Sequence, residues 1–136
     1  MVQLSPDTHI LGWDASSGYH YDDDHIYGFS HTHLSGTGIG DLGDVALLPF
    51  SGGDSIKPVA TLKKDTEKAT PGYYAVRLDN FGINVELTST DRVGFHKYTY
   101  DNPKERRVLL DLGHILQPNW GHKLIDNQYL LVNDST

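Results

Sequence analysis

The chain has no cysteine, one methionine, two tryptophans and only 11 lysines and arginines in 136 residues. Without cysteine there is no disulfide framework and no thiolate metal site, so any bound ion must be held by nitrogen or oxygen. Cysteine usage leaves the compartment open, because exported chains can lack it too. The basic residues are outnumbered by 18 acidic ones, for a net charge of −7. Phosphate backbones are bound by clustered Lys and Arg. The densest basic group here, Lys104-Glu105-Arg106-Arg107, is interrupted by a glutamate. Nucleic acid is set aside as a partner on that ground, and an anionic membrane surface with it. No window approaches the run of about eighteen apolar residues that a membrane-spanning helix needs. The start, Met1-Val2-Gln3-Leu4-Ser5-Pro6, has no basic segment leading into an apolar run, so no signal peptide is read there. A processed chain would look the same.

What is present is strand and turn nearly throughout, at a length suited to one domain, residues 1–136. Ile83, Val85 and Leu87 alternate with Asn84, Glu86 and Thr88, the clearest period-two pattern in the chain. Tyr74, Val76 and Leu78 alternate just before it, and Asp79-Asn80-Phe81-Gly82 supplies a hairpin turn. A strand is expected from Arg92 to Tyr100, closed by Asp101-Asn102-Pro103-Lys104. Arg107 to Leu112 reads as a strand covered on both faces, since only Asp111 interrupts its apolar residues after Arg107. Val45 to Phe50 is a continuous apolar run, and Pro49 pushes it to a strand end or edge. His122 to Val132 should add one or two strands, and Leu62 to Ala69 has room for a helical turn or two at most. Short strands separated by turns point to an all-β, antiparallel β-sandwich.

The stretch from Tyr27 to Asp44 carries the densest chemistry. His31 and His33 stand two apart and would share a face if the strand held. Gly36, Gly38, Gly40 and Gly43 follow, more glycine than a plain connection uses. Two imidazoles at that spacing can bind one ion, with His20, His25 or a carboxylate as a third ligand. No spacing singles out that third ligand, so hydrogen bonding to backbone or carboxylates is the favoured role and no metal site is assigned. Asp22-Asp23-Asp24 and the pair Asp41 and Asp44 are oxygen donors without the spacing of a calcium loop. The first is read as a solvated turn and the second as turn caps. Cleavage by paired carboxylates would need an acid facing a base. Asp14, Asp41, Asp44 and Glu86 lie near the dense motifs, but nothing pairs them, so no catalytic residue is assigned. Trp13, in a loop-like Gly12-Trp13-Asp14-Ala15-Ser16-Ser17-Gly18, offers a flat indole face for a sugar ring, with half-burial in a core as the ordinary alternative. Trp120 has no such setting, and Tyr19 and Tyr21 are read as packing residues.

The same blocks carry a family resemblance. Val2-Gln3-Leu4-Ser5-Pro6-Asp7-Thr8, Gly12-Trp13-Asp14, Ser17-Gly18-Tyr19-His20-Tyr21 and Tyr27-Gly28-Phe29-Ser30-His31-Thr32-His33-Leu34-Ser35-Gly36-Thr37-Gly38 run in collinear order. Thr70-Pro71-Gly72-Tyr73-Tyr74, Asn84-Val85-Glu86-Leu87-Thr88, Asp91-Arg92-Val93-Gly94-Phe95-His96 and Val108-Leu109-Leu110-Asp111-Leu112 continue it. Together they resemble the N-terminal domain of glycoside hydrolase family 92, the calcium-dependent exo-acting α-mannosidases.

That resemblance implies a galactose-mutarotase-like supersandwich, represented here by a piece lacking both ends. It implies inverting hydrolysis of terminal α-mannosides by the whole protein. The catalytic carboxylates and the calcium ligands would come from a helical domain outside this chain. Trp13, His31 and His33 would be the substrate-binding residues at the domain junction. The implied partners are a mannose-containing glycan and the absent helical domain. A periplasmic or secreted location is implied in the same way. The alternative is a carbohydrate-binding or scaffold sandwich without chemistry. A sandwich cut at both ends should also self-associate through its open edges.

Overall fold

The computed structural model describes residues 2–12, 17–33, 42–53 and 57–132. Trp13, Asp14 and Asp41 lie outside the described residues, as does the glycine-rich run 34–41. Nine strands follow in chain order. They are β1 Ser5–Asp7, β2 His25–Ile26, β3 Gly28–Ser30, β4 Ala46–Phe50, β5 Ala60–Thr70, β6 Tyr73–Leu78, β7 Ile83–Ser89, β8 Gly94–Tyr100 and β9 Arg107–Asp111. They form a four-stranded sheet, β1-β3-β4-β9, and a five-stranded sheet, β2-β5-β6-β7-β8. All named strand pairs are antiparallel. This is the all-β sandwich expected. Among the described residues no helix is long and apolar enough to cross a membrane.

The core is built by the alternation read in the sequence. Val76 and Leu78 of β6 and Ile83, Val85 and Leu87 of β7 bury one face of the large sheet, with Ile26, Ala60 and Leu62 beside them. Phe29 and Leu48 come in from the small sheet. Leu78 sits opposite Ile83, and Val76 opposite Val85, so apolar side chains meet in register across the hairpin. Gly82, at a φ of 62°, closes that hairpin in a conformation that a side chain would strain.

Three expectations are corrected. Leu62 to Ala69 is part of the long strand β5, not a helical turn. Its pattern was obscured by a bulge: Lys63 pairs with Arg77 and Lys68 with Ala75, which leaves four residues, Lys64 to Glu67, opposite Val76 alone. Thr66 repairs the ladder there. Its hydroxyl accepts from the Arg77 amide at 2.9 Å and donates to the Lys63 carbonyl at 2.6 Å. Second, β9 is an edge strand, so Val108 and Leu110 remain about half exposed rather than covered. Third, His122 to Val132 forms no strand; after a 3₁₀ turn at Pro118–Trp120 the chain runs without regular structure. Pro49 is the penultimate residue of β4, at a strand end as expected; β4 lies inside the small sheet, but β3 meets it only at Leu47, so that side of the strand is open at Pro49.

Candidate functional site

The end of the sandwich that holds the N-terminal segment carries a buried polar network. Asp7, on β1 opposite Gly28, is fully buried. His114 Nε2 donates to its Oδ2 at 2.8 Å, and His33 Nε2 lies 3.3 Å from its Oδ1. His33 Nδ1 is 2.9 Å from the Ser17 carbonyl, which can only accept, so Nδ1 carries the hydrogen. Nε2 of the neutral ring then accepts from Ser30 Oγ at 2.7 Å. Asp7 Oδ1 is left without a hydrogen-bond donor. Gly18 presses on that oxygen: a Cβ at position 18 would lie 2.2 Å from Oδ1 and 2.8 Å from the His33 ring. The network thus clamps the loop around residue 17 down onto β1.

This geometry bears on two chemistries. Ser30 and Asp7 approach the same nitrogen of His33, so the arrangement is not a serine–histidine–aspartate relay, in which the acid and the serine use opposite nitrogens. Asp7, His33 and His114 are a donor set by type, but His114 Nε2 bonds directly to the carboxylate and both His33 nitrogens are taken up by Ser17 and Ser30. Among the described residues no group of three or more His, Cys, Asp or Glu is placed to hold a metal.

A cavity of about 550 Å³ opens beside the network, lined by the N-terminal segment Val2 to Ser5, by His33, by Tyr73 and Tyr74, and by the end of β7. A smaller one of about 270 Å³ shares Ser5, Ala69 and Tyr74 with it and adds Ser17 and Tyr19. The β5 bulge shapes this wall. It brings Glu67 within 3.0 Å of the Tyr19 hydroxyl, 2.7 Å of the Tyr74 hydroxyl and 3.2 Å of Lys64 Nζ. Burial, then the hydrogen bond to Glu67, push the Tyr74 phenol well above its ordinary range, so it stays a donor at any ordinary pH.

The structure separates the two histidines that the sequence paired. Strand β3 ends at Ser30, and strand alternation does not carry on to His33. His31 Nδ1 bonds the Val45 carbonyl at 2.5 Å and its Nε2 meets His96 Nε2 at 2.9 Å, whereas His33 joins Ser30, Ser17 and Asp7. Neither His20 nor His25 approaches them: His25 pairs with Asp24 and His20 packs near His9. Asp44 caps Thr32, accepting from its hydroxyl at 3.1 Å. Asp22 and Asp24 are exposed as expected, but Asp23 accepts from Thr8 at 2.8 Å and pairs with His9 at 3.0 Å. Glu86 is held by Lys97 at 2.6 Å and by the Tyr73 hydroxyl. Trp120 is 41% exposed. The residues on either side of segment 13–16 are anchored, the Gly12 carbonyl by the Gln117 amide and the Ser17 carbonyl by His33. Asp7, His114, Glu67 and His96 were not picked out as site residues. Asp7 and His114 lie 107 positions apart, and no local spacing could have joined them.

The family model described as "Glycosyl hydrolase family 92 N-terminal domain" matches residues 1–136. A structure of the family GH92 α-mannosidase from Bacteroides thetaiotaomicron aligns with a TM-score of 0.81 and 39% identity, over 85% of this chain and 17% of that one. The same α-mannosidase in complex with mannoimidazole aligns with the same figures. An uncharacterized secreted glycosidase of Arthroderma benhamiae is 31% identical over 119 residues, 76% of this chain and 15% of that protein. The chain therefore spans less than a fifth of each of these relatives.

Proposed function

Because the chain belongs to the glycosyl hydrolase family 92 N-terminal domain family, we propose that residues 1–136 act as the sandwich domain of a secreted or periplasmic α-mannosidase and supply one wall of its sugar pocket. The observation that carries this is the family match over the whole chain, joined to 39% identity with a solved α-mannosidase. The mannoimidazole complex of that relative favours a terminal α-mannoside as the ligand class. The wall would consist of the cavity lined by His33, with Trp13 in the segment between the anchored residues Gly12 and Ser17. An indole there would cover the apolar face of a pyranose ring. His31 has both ring nitrogens committed to the protein, so it would fix the segment that carries His33 rather than bond the sugar through nitrogen.

Inverting hydrolysis needs an acid and a base about 6.5–9.5 Å apart across the scissile bond. Glu67, Glu86, Asp23 and Asp44 are each committed to protein donors. The acid and base would then come from the part of the relatives that this chain does not span. Calcium takes six to eight oxygen ligands. The one buried carboxylate at the site faces imidazoles, and no described group of donors fits the ion.

The test is Trp13→Ala in a longer protein containing this domain. Loss of one aromatic platform should lower kcat/KM for an aryl α-mannoside by the equivalent of roughly 1–3 kcal/mol. An unchanged kcat/KM with unchanged folding would remove Trp13 from the sugar wall.

A further inference from the structure

The segment between the glycine-rich run and β4 is strained and held from outside. Leu42, Gly43 and Val45 have φ values of 72°, 80° and 55°. For a β-branched residue such as Val45 the left-handed region is a true outlier, costing on the order of 1–3 kcal/mol. His31 grips this turn twice. Its amide donates to the Asp44 carbonyl at 3.2 Å, and its Nδ1–H donates to the Val45 carbonyl at 2.5 Å. The grip continues into the other sheet. With Nδ1–H committed, His31 Nε2 accepts from His96 Nε2–H at 2.9 Å, and His96 Nδ1 accepts from the Tyr98 hydroxyl at 2.6 Å. Gly94 lets the strand come this close, since a Cβ there would meet the His31 ring at 3.0 Å.

We propose that His31, His96 and Tyr98 form an acid-operated latch that tolerates one added proton and opens with the second, releasing the strained turn at Val45. One proton costs no bond. His31 can carry it on Nε2 and donate to His96 Nε2, while His96 shifts its own hydrogen to Nδ1 and donates to the Tyr98 oxygen. A second proton places hydrogens on both Nε2 atoms at 2.9 Å, and that contact must break. Burial, then the neighbouring His31, depress the His96 imidazole to about 4, which places the second step well below an ordinary histidine. Burial also raises the Tyr98 phenol, so the hydroxyl keeps its hydrogen throughout.

The neighbouring charges do not relieve the pair. On β8, Lys97 pairs with Glu86 of β7. The β7 residue opposite His96 is Leu87. On the His31 side, Asp44 is bonded to Thr32, and His33 to Ser30 and Ser17. From the N-terminal segment, Gln3 donates to the His31 carbonyl and Val2 to that of Asp91. The consequence reaches the cavity, because His33, which lines it, pairs with Leu42 at the base of the strained turn.

Histidine side-chain and backbone amide NMR on the 136-residue chain, from pH 7.5 to 3.5, tests the latch. Two histidine signals should titrate in two separated steps, the lower near pH 4, and the Val45 amide should move with the lower step only. Tyr98→Phe should shift that lower step further down, since a charged His96 would lose its Nδ1 acceptor. Val45→Gly removes the strain but keeps the carbonyl, so the amide response at position 45 should shrink while both steps remain. Independent titration of both histidines at ordinary values, a Val45 amide that ignores the lower step, or a lower step unmoved in Tyr98→Phe would each overturn the proposal.

Discussion

At the scale of single residues, Gly18 and His96 bear the sharpest constraints. Gly18 has a φ of 78° and sits against Asp7 Oδ1, so any side chain meets both strain and a buried carboxylate. Gly18→Ala should destabilise the fold by about 2 kcal/mol or more, measured by denaturant unfolding. An unchanged midpoint would mean that the loop shifts freely and that the clamp on residue 17 is dispensable. For His96, the folded chain binds its proton only near pH 4, while the unfolded chain binds it near the ordinary 6.5. Between those values the unfolded state holds more protons, so stability rises with pH and is lost on acidification through the window. Melting temperatures should fall from pH 6.5 to 4, and His96→Phe should flatten that part of the fall. Residues of this kind are hard to read in a sequence. His31 and His33 stood out by spacing, but their partners, His96 and Asp7, come from other elements. Two residues apart predicts a shared face only while a strand continues, and here it stops at Ser30.

At the scale of elements, the β6–β7 hairpin was legible because its pattern, turn and register agree. Leu78 is fully buried against Ile83, and Leu78→Ala should cost about 2–5 kcal/mol. Leu110→Ala, on the half-exposed edge strand β9, should cost well under half of that. Equal losses at the two positions would mean that β9 is covered in solution. β5 was misread for a physical reason. Its apolar alternation stops at Leu62, and the bulge then aims Lys64 and Glu67 at the tyrosines instead of alternating them across the sheet. Thr66→Val keeps the shape but removes the partner of the Arg77 amide and the Lys63 carbonyl, at a cost of about 0.5–1.5 kcal/mol. The segment after Trp120 has strand-forming residues, but strand propensity without a neighbour to pair with makes no strand.

At the scale of the molecule, much apolar surface stays open. Ile125, Tyr129 and Leu130 are 92%, 84% and 84% exposed, and β1, β2, β8 and β9 stand at sheet edges. Such surface attracts further chain. The 136-residue chain should therefore self-associate at micromolar concentrations, read by light scattering, and Leu130→Lys should weaken it. A monodisperse wild-type monomer would contradict this. The family was legible from many ordered sequence blocks, and the anchoring of Gly12 and Ser17 was not, because their partners, Gln117 and His33, are remote from them in the chain. The bond between Asp7 and His114 spans 107 positions, and that between Gly12 and Gln117 spans 105. Closing such a loop costs roughly 2 kcal/mol more than closing one of about ten residues. The β5–β8 meander, with its short connections, needs no such closure. Its strands should assemble first, and the Asp7 network should come last, as the two distant ends of the chain find each other. The same order in reverse makes the cavity wall the first region to open, with amide hydrogens around Asp7 and His114 exchanging sooner than those of the meander.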